Sequence, residues 1–122
     1  MTTYPVLRYR DARAAIDWLA EAFGFTEKEV HEGDDGTIAH AELHTGKGLI
    51  MLSTDREDDD WGAHAGLGWT YVVVDDPDAV HERAVAAGAE IIRPLEDTDY
   101  GSRDFSAKDL EGNRWSFGTY AP

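Results

Sequence analysis

The fold is decided by two stretches that match each other, DARAAIDWLAEAFG at residues 11–24 and DPDAVHERAVAAG at residues 76–88. Each stretch opens on an aspartate, which can cap a helix, and closes on a glycine, which favours a helix end. In the first stretch Ile16, Leu19 and Phe23 recur at helical spacing and predict a buried face. The sequence therefore predicts two similar helices, the second with a proline at its first position.

The likeness extends to both sides of these helices. A shift of 65 residues places Asp11 on Asp76, and it also aligns the strand-like residues before each helix and the turn residues after it. The predicted strands span residues 6–9, 26–29, 37–44 and 49–53 in the first copy and residues 70–74, 90–93, 103–108 and 114–119 in the second. Each copy reads as strand, helix and three strands, so the predicted class is α+β with two βαβββ modules.

The chain length fits one domain built from the two modules. A chain of 122 residues lies within the usual range of about 100–150 residues for a single domain. We predict module one at residues 1–53 and module two at residues 69–122. Between them, residues 54–68 are acidic at first and rich in glycine afterwards, which is typical of a linker.

The charge balance and the composition exclude several classes of function. The chain has 11 Lys+Arg against 25 Asp+Glu, a formal charge of −14, which disfavours binding to nucleic acid and to anionic membranes. It has no cysteine, which excludes disulfides and thiolate metal sites. The first 30 residues contain acidic side chains and no long apolar run, so a cytoplasmic protein without a signal peptide is expected.

One register remains open in the second module. The shift of 65 residues places Ala41 and Leu43, which suit a helix-packed face, opposite the polar Ser106 and Lys108. Burying such polar side chains without partners is unfavourable. The strand at residues 103–108 is therefore expected either to lie at a sheet edge or to be offset from the repeat.

Two phrases resemble a known family. His40-Ala41-Glu42-Leu43 and the run from Tyr100-Gly101-Ser102-Arg103 to Asp109-Leu110-Glu111-Gly112-Asn113-Arg114-Trp115, set in paired βαβββ modules, resemble the vicinal oxygen chelate superfamily. Within it they look most like the glyoxalase, bleomycin resistance protein and dioxygenase branch, close to its PhnB-like members. The resemblance implies a curved mixed sheet around a ligand cleft, in a homodimer.

The resemblance also implies where a metal would be bound. Enzymes of this superfamily hold a divalent ion with His or Glu from the first and last strands of each module. The corresponding positions here are Tyr4, Met51, Trp69 and Ser116, none of which supplies an imidazole or a carboxylate. We therefore expect no metal and no cofactor at these four positions.

A second set of possible metal ligands lies on the third strand. His40, Glu42 and His44 alternate along it, so their side chains are expected to point the same way. Neighbours in this set would lie roughly 6.5–7 Å apart, near enough for two side chains to reach one ion. The other interpretation is a hydrogen-bonded polar stripe, and we favour it.

Without a metal, the cleft is predicted to bind a small organic molecule. Aromatic side chains would stack on the ligand, and polar side chains would fix its orientation. Trp61, in the acidic linker, is expected to act as a lid or a dimer contact. The predicted ligand-binding residues are Tyr4, Arg8, His40, Glu42, Met51, Trp61, Trp69, Tyr71, Arg103 and Ser116.

Two functions follow from these observations. The first is a metal-free protein that binds an aromatic or cationic organic ligand, similar to the bleomycin-type resistance proteins. The alternative is a glyoxalase- or dioxygenase-type enzyme that uses a divalent metal at a non-standard site. The expected partners are the small ligand and a second copy of the chain.

Overall fold

A computed structural model of the chain describes residues 1–56 and 64–122. Trp61, predicted to be a lid or a dimer contact, lies outside the described residues. The elements of module one are β1 (Val6–Tyr9), α1 (Ala12–Phe23), β2 (Thr26–Glu32), β3 (Ile38–His44) and β4 (Leu49–Thr54). Those of module two are β5 (Trp69–Val73), α2 (Pro77–Ala86), β6 (Glu90–Asp97), β7 (Arg103–Lys108) and β8 (Arg114–Gly118). The predicted α+β class with paired βαβββ modules is confirmed.

Both helices begin at the predicted aspartates. The Asp11 carboxylate accepts a hydrogen bond from the backbone N–H of Ala14 at 3.0 Å, and Asp76 does the same for Ala79 at 3.1 Å. Such bonds satisfy one of the N–H groups that a helix start leaves unpaired. Gly24 ends α1 with a φ of 77°, a left-handed conformation that favours glycine.

The strands form two four-stranded mixed sheets with the same internal order. The first sheet runs β1-β4-β3-β2 and the second runs β5-β8-β7-β6. In each sheet the first and last strands of the module are parallel and the other pairs are antiparallel. Each module thus repeats one topology, as the 65-residue shift predicted.

The seventh strand is offset by one residue from the 65-residue shift between the modules. β7 lies between β8 and β6, so it is not an edge strand. Phe105 and Ala107 are fully buried, whereas the shift of 65 residues had placed Ser106 in the core. The cause is the turn that follows the strand. The backbone N–H of Asp109 donates to the carbonyl of Asn113, four residues later, whereas the N–H of Thr45 donates to the carbonyl of Gly48, three residues later. Because this turn is one residue longer, the shift of 65 residues applies again in β8.

The hydrophobic core joins the two modules. Phe23 at the end of α1 packs against Phe117 and Trp115 of the second sheet, with ring centroids 4.7 Å and 5.7 Å away. The indole of Trp18 donates to the backbone carbonyl of Ala87, just after α2, at 3.2 Å. Burying a large apolar side chain contributes about 1.5–3 kcal/mol. Trp115 and Phe117 therefore lie in the core shared by the two modules, and the partly buried Trp18 packs against it.

A buried carboxylate also connects the modules. Asp109 accepts hydrogen bonds from the Tyr9 hydroxyl at 2.6 Å and from the Trp115 indole at 3.0 Å. It also accepts from the backbone N–H groups of Glu111 and Asn113. Burial and the Asp109 charge raise the pKa of Tyr9 strongly, so this phenol stays neutral and donates.

In the part of the chain that the structure describes, neither helix is long and apolar enough to cross a membrane.

Candidate functional site

The predicted site residues lie mainly on the faces of the two sheets that are turned away from the helices, here called the open faces. In β1 and β4 the core takes Leu7 and Leu52, which leaves Val6, Arg8 and Met51 on the open face. In the second module the same alternation exposes Trp69 and Tyr71 and turns Ser116 to the open face.

Equivalent positions form a matching row across each open face. In the first sheet the row runs Val6, Met51, Glu42 and Glu29 from β1 to β2. In the second sheet it runs Tyr71, Ser116, Ser106 and Arg93 from β5 to β6. In these rows Met51 is the register partner of Val6 and Ser116 is that of Tyr71, while Tyr4 and Trp69 lie two residues earlier in the chain.

On the first sheet, Glu42 lies between two basic groups. Its carboxylate is 2.9 Å from His40 Nε2 and 3.2 Å from Lys28 Nζ. These bonds hold the pKa of Glu42 below its ordinary value, with the His40 bond the largest cause, and Glu42 in turn raises the pKa of Lys28. His40, Glu42 and Lys28 thus form a hydrogen-bonded polar group on this face.

Neither predicted ligand set fits a divalent metal. At the four family positions the side chains remain phenol, thioether, indole and hydroxyl, and the Trp69 nitrogen is a donor with no free lone pair. Lys28 already binds the Glu42 carboxylate of the second set, which places a positive charge where an ion would be held. Among residues 1–56 and 64–122, no cluster of three or more His, Cys, Asp or Glu side chains could hold a metal.

On the second sheet, the Trp69 side chain is exposed but fixed. It is 74% exposed, yet its indole N–H donates to Ser116 Oγ at 3.0 Å. Ser116 Oγ lies 2.7 Å from Ser106 Oγ, so a chain of hydrogen bonds anchors the ring to β8 and β7. The surrounding cavity, here called the Trp69 pocket, measures about 500 Å³ and is lined by Leu67, Gly68, Trp69, Ile92, Arg93, Ser106 and Arg114.

Tyr71 rests on a glycine of the neighbouring strand. A Cβ added at Gly118 would lie 2.6 Å from the Tyr71 hydroxyl oxygen and 2.9 Å from the Asp104 Cβ, so only glycine fits at this position. The hydroxyl donates to the backbone carbonyl of Tyr120 at 2.8 Å, and partial burial raises the pKa of Tyr71.

Tyr71 also faces a second cavity of about 550 Å³, here called the Tyr4 pocket. Its polar and aromatic lining includes Tyr4, Lys28, His44, Lys47 and Tyr71. The structure thus places Tyr4 near Tyr71 and apart from the residues that line the Trp69 pocket.

Two predicted arginines lie away from these cavities. Arg8 lines a recess of about 120 Å³ together with His64, whose Nδ1 is 2.8 Å from the buried carboxylate of Asp55. Arg103 lies on the helix side of β7, where Asp78 binds it at 2.7 Å and Asp97 at 3.2 Å. These carboxylates raise the pKa of Arg103, and its guanidinium lies on the helix side of the sheet and not on the open face.

The sequence reasoning missed the basic residues of both cavities, Lys28, Lys47, Arg93 and Arg114. Arg114 starts the correctly predicted strand β8, opposite Trp69, so its alternation with Ser116 could have identified it. Arg93 could not be placed, because irregular pairing on both sides of it interrupts the alternation in β6.

Comparisons with known proteins agree with this architecture. The family model of the Glyoxalase/Bleomycin resistance protein/Dioxygenase superfamily matches residues 3–117. TioX from Micromonospora sp. ML1 has a crystal structure similar to this chain, with 35% identity, a TM-score of 0.83 and coverage of 100% of this chain and 98% of TioX. The uncharacterized protein Rv0887c of Mycobacterium tuberculosis is 35% identical over 121 residues, which cover 93% of this chain and 71% of that protein.

A more distant structure shows the fold alone. An E144Q mutant of glyoxalase I from Zea mays aligns with a TM-score of 0.75 at 19% identity, covering 98% of this chain and 45% of the maize protein. The family match and the relatives at 35% identity carry the assignment: the chain belongs to the Glyoxalase/Bleomycin resistance protein/Dioxygenase superfamily.

Proposed function

We propose that this protein binds a small aromatic molecule without a metal, in the manner of bleomycin-type resistance proteins, and releases it unchanged. The observation that carries the proposal is the Trp69 indole, exposed over most of its surface and yet held in one orientation by Ser116. An aromatic ring that is already fixed loses little conformational entropy when a flat ligand stacks on it.

The chemistry of the open faces supports binding over turnover. The four family metal positions carry no carboxylate or imidazole, and Glu42 is already bonded to His40 and Lys28. The Trp69 pocket, at about 500 Å³, has the size of a small-molecule site. The similar fold of TioX, at 35% identity over the whole of this chain, is consistent with this proposal.

The proposal also includes the family branch, the cellular location and the oligomeric state of the protein. We assign the chain to the PhnB-like branch, as a cytoplasmic homodimer that captures a drug or metabolite inside the cell. Exposed Val6, Tyr71 and Val73 offer apolar surface for a second copy beside the ligand pocket. Sedimentation equilibrium at micromolar concentration tests the dimer, and a mass of one chain at all concentrations would contradict it.

Equilibrium dialysis tests the binding function. The chelator-treated protein is dialysed against aromatic antibiotics, including bleomycin as a cationic member, and the recovered compound is checked for chemical change. We expect stoichiometric binding of at least one compound, recovery unchanged, and at least tenfold weaker binding by Trp69→Ala. The failure of all compounds to bind would contradict the proposal, as would turnover that appears when a divalent metal is added.

A further inference from the structure

The Trp69 pocket carries a charge opposite to that of the whole chain. Acidic residues outnumber basic ones by 25 to 11 in the sequence. Among the described residues that line this pocket, however, two are arginines and none is Asp or Glu. The acidic residues already give the protein the net charge that favours solubility. A local excess of positive charge at this pocket therefore indicates a role in binding a ligand.

Both arginines belong to the open face on which Trp69 lies. Arg114 is the register partner of Trp69 on β8, and Arg93 is the register partner of Ser106 at the far side of the same pocket. Trp69, Arg93 and Arg114 therefore line one cavity. The Ser106 and Ser116 hydroxyls form a bonded pair, and Ser116 Oγ accepts from the indole.

Neither arginine is held strongly by a carboxylate. Arg93 Nη2 is 3.7 Å from Glu96 Oε1, and both side chains are more than half exposed. Exposed pairs of this length contribute little and exchange readily with another anion. In the part of the chain that the structure describes, Arg114 makes no ion pair.

From this geometry we infer that the Trp69 pocket selects a planar aromatic acid, with the ring on the indole and a carboxylate or similar planar anion at Arg93 and Arg114. The guanidinium fork matches a carboxylate, and charge-assisted hydrogen bonds are about twice as strong as neutral ones. The inference rests on the proposed binding function and deepens it, since the net charge alone had favoured a cationic ligand.

Three matched probes test this selection: naphthalene-2-carboxylate, naphthalene-2-carboxamide and 2-naphthylmethylammonium. They share one ring system and carry a negative, a neutral and a positive group. Each is titrated into ¹⁵N-labelled protein, and binding is followed at the indole N–H resonance of Trp69, which is assigned by its loss in Trp69→Phe.

We expect the carboxylate to bind at least tenfold more tightly than the ammonium probe, with the carboxamide between them. The double variant Arg93→Gln/Arg114→Gln should weaken carboxylate binding about tenfold and remove the preference, while its spectrum remains that of a folded protein. Arg13→Gln is the matched control, because Arg13 lies on α1 and pairs with Glu27 and Glu32 away from the pocket.

The outcomes separate the two proposals. Equal or tighter binding of the ammonium probe at the Trp69 indole would overturn the inference and leave the binding function standing. An unchanged preference in the double variant would overturn it in the same way. If no probe shifts the indole resonance, both the inference and the proposed binding at this pocket are overturned.

Discussion

The two modules place different chemistry on the same row of backbone positions. In module one the row ends in two glutamates, Glu42 and Glu29, with Lys28 bonded to the first of them. In module two the equivalent positions are Ser106 and Arg93, beside an exposed and anchored tryptophan. The modules thus share one strand order, with an offset of one residue in β7, but their open faces differ in chemistry: a hydrogen-bonded polar network lies on the first sheet and an aromatic pocket on the second.

The largest expected effect concerns the turns that join the last two strands of each module. Asp109→Ala should lower the free energy of unfolding by about 3 kcal/mol or more, because it leaves the buried Tyr9 and Trp115 donors without an acceptor. Among residues 1–56 and 64–122, the equivalent residue of module one, Thr45, accepts no hydrogen bond from a buried side chain, so Thr45→Ala should change stability by about 0.5 kcal/mol at most.

Urea unfolding followed by tryptophan fluorescence measures both variants. Similar losses in the two turns would mean that the Asp109 bonds do not distinguish the modules. Asp99→Ala, at an exposed position of module two, serves as the control for removing a carboxylate.

The next effect concerns the contact between Tyr71 and Gly118, whose equivalents in module one are Val6 and Ser53. Gly118→Ser should cost about 1–3 kcal/mol, because its Cβ would clash with the Tyr71 phenol and with the Asp104 Cβ. Adding Tyr71→Val, which restores the module one pair, should recover part of this loss.

Thermal and urea unfolding of the two single variants and the double variant form a double-mutant cycle. We expect a coupling energy of about 1 kcal/mol, as for residues in direct contact. Strict additivity would contradict the steric explanation. Ser53→Gly in module one, which removes a Cβ from the equivalent strand position, should cost only about 0.5–1 kcal/mol.

The smallest effect is the pH dependence of the polar network in module one. The pKa of Glu42 is lowered in the folded protein, so its contribution to stability is present at neutral pH and is lost as the pH falls below about 4. Glu42→Gln should therefore be less stable than the wild type at pH 7, and the difference should be smaller at pH 3. A stability difference that is the same at both pH values would show that the Glu42 charge contributes nothing.

Much of the fold could be predicted because the determining signals are local. The Asp11 and Asp76 caps and the alternation in β1, β4 and β5 lie within short stretches of sequence. The offset of β7 could not be fixed, because it depends on a turn only one residue longer than its equivalent in module one.

The site was harder to predict than the fold. Trp69 and Ser116 were selected as positions implied by the family resemblance and Tyr71 by alternation from Trp69, and all three share the open face of the second sheet. Arg103 was selected by its type and its neighbours in the motif, but its side chain lies on the helix side with Asp78. Arg93 and Lys28 were missed because both lie on strands with irregular pairing, where the order of residues does not show which face a side chain takes.

The central claim is that the aromatic pocket of module two binds ligand without a metal, while the equivalent region of module one does not. Calorimetric titration of chelator-treated protein with naphthalene-2-carboxylate tests it, with Trp69→Ala compared against Tyr4→Ala, the equivalent position in module one. The account predicts binding without added metal, lost in Trp69→Ala and retained in Tyr4→Ala. Binding that requires a divalent metal, or that survives Trp69→Ala and disappears in Tyr4→Ala, would contradict it.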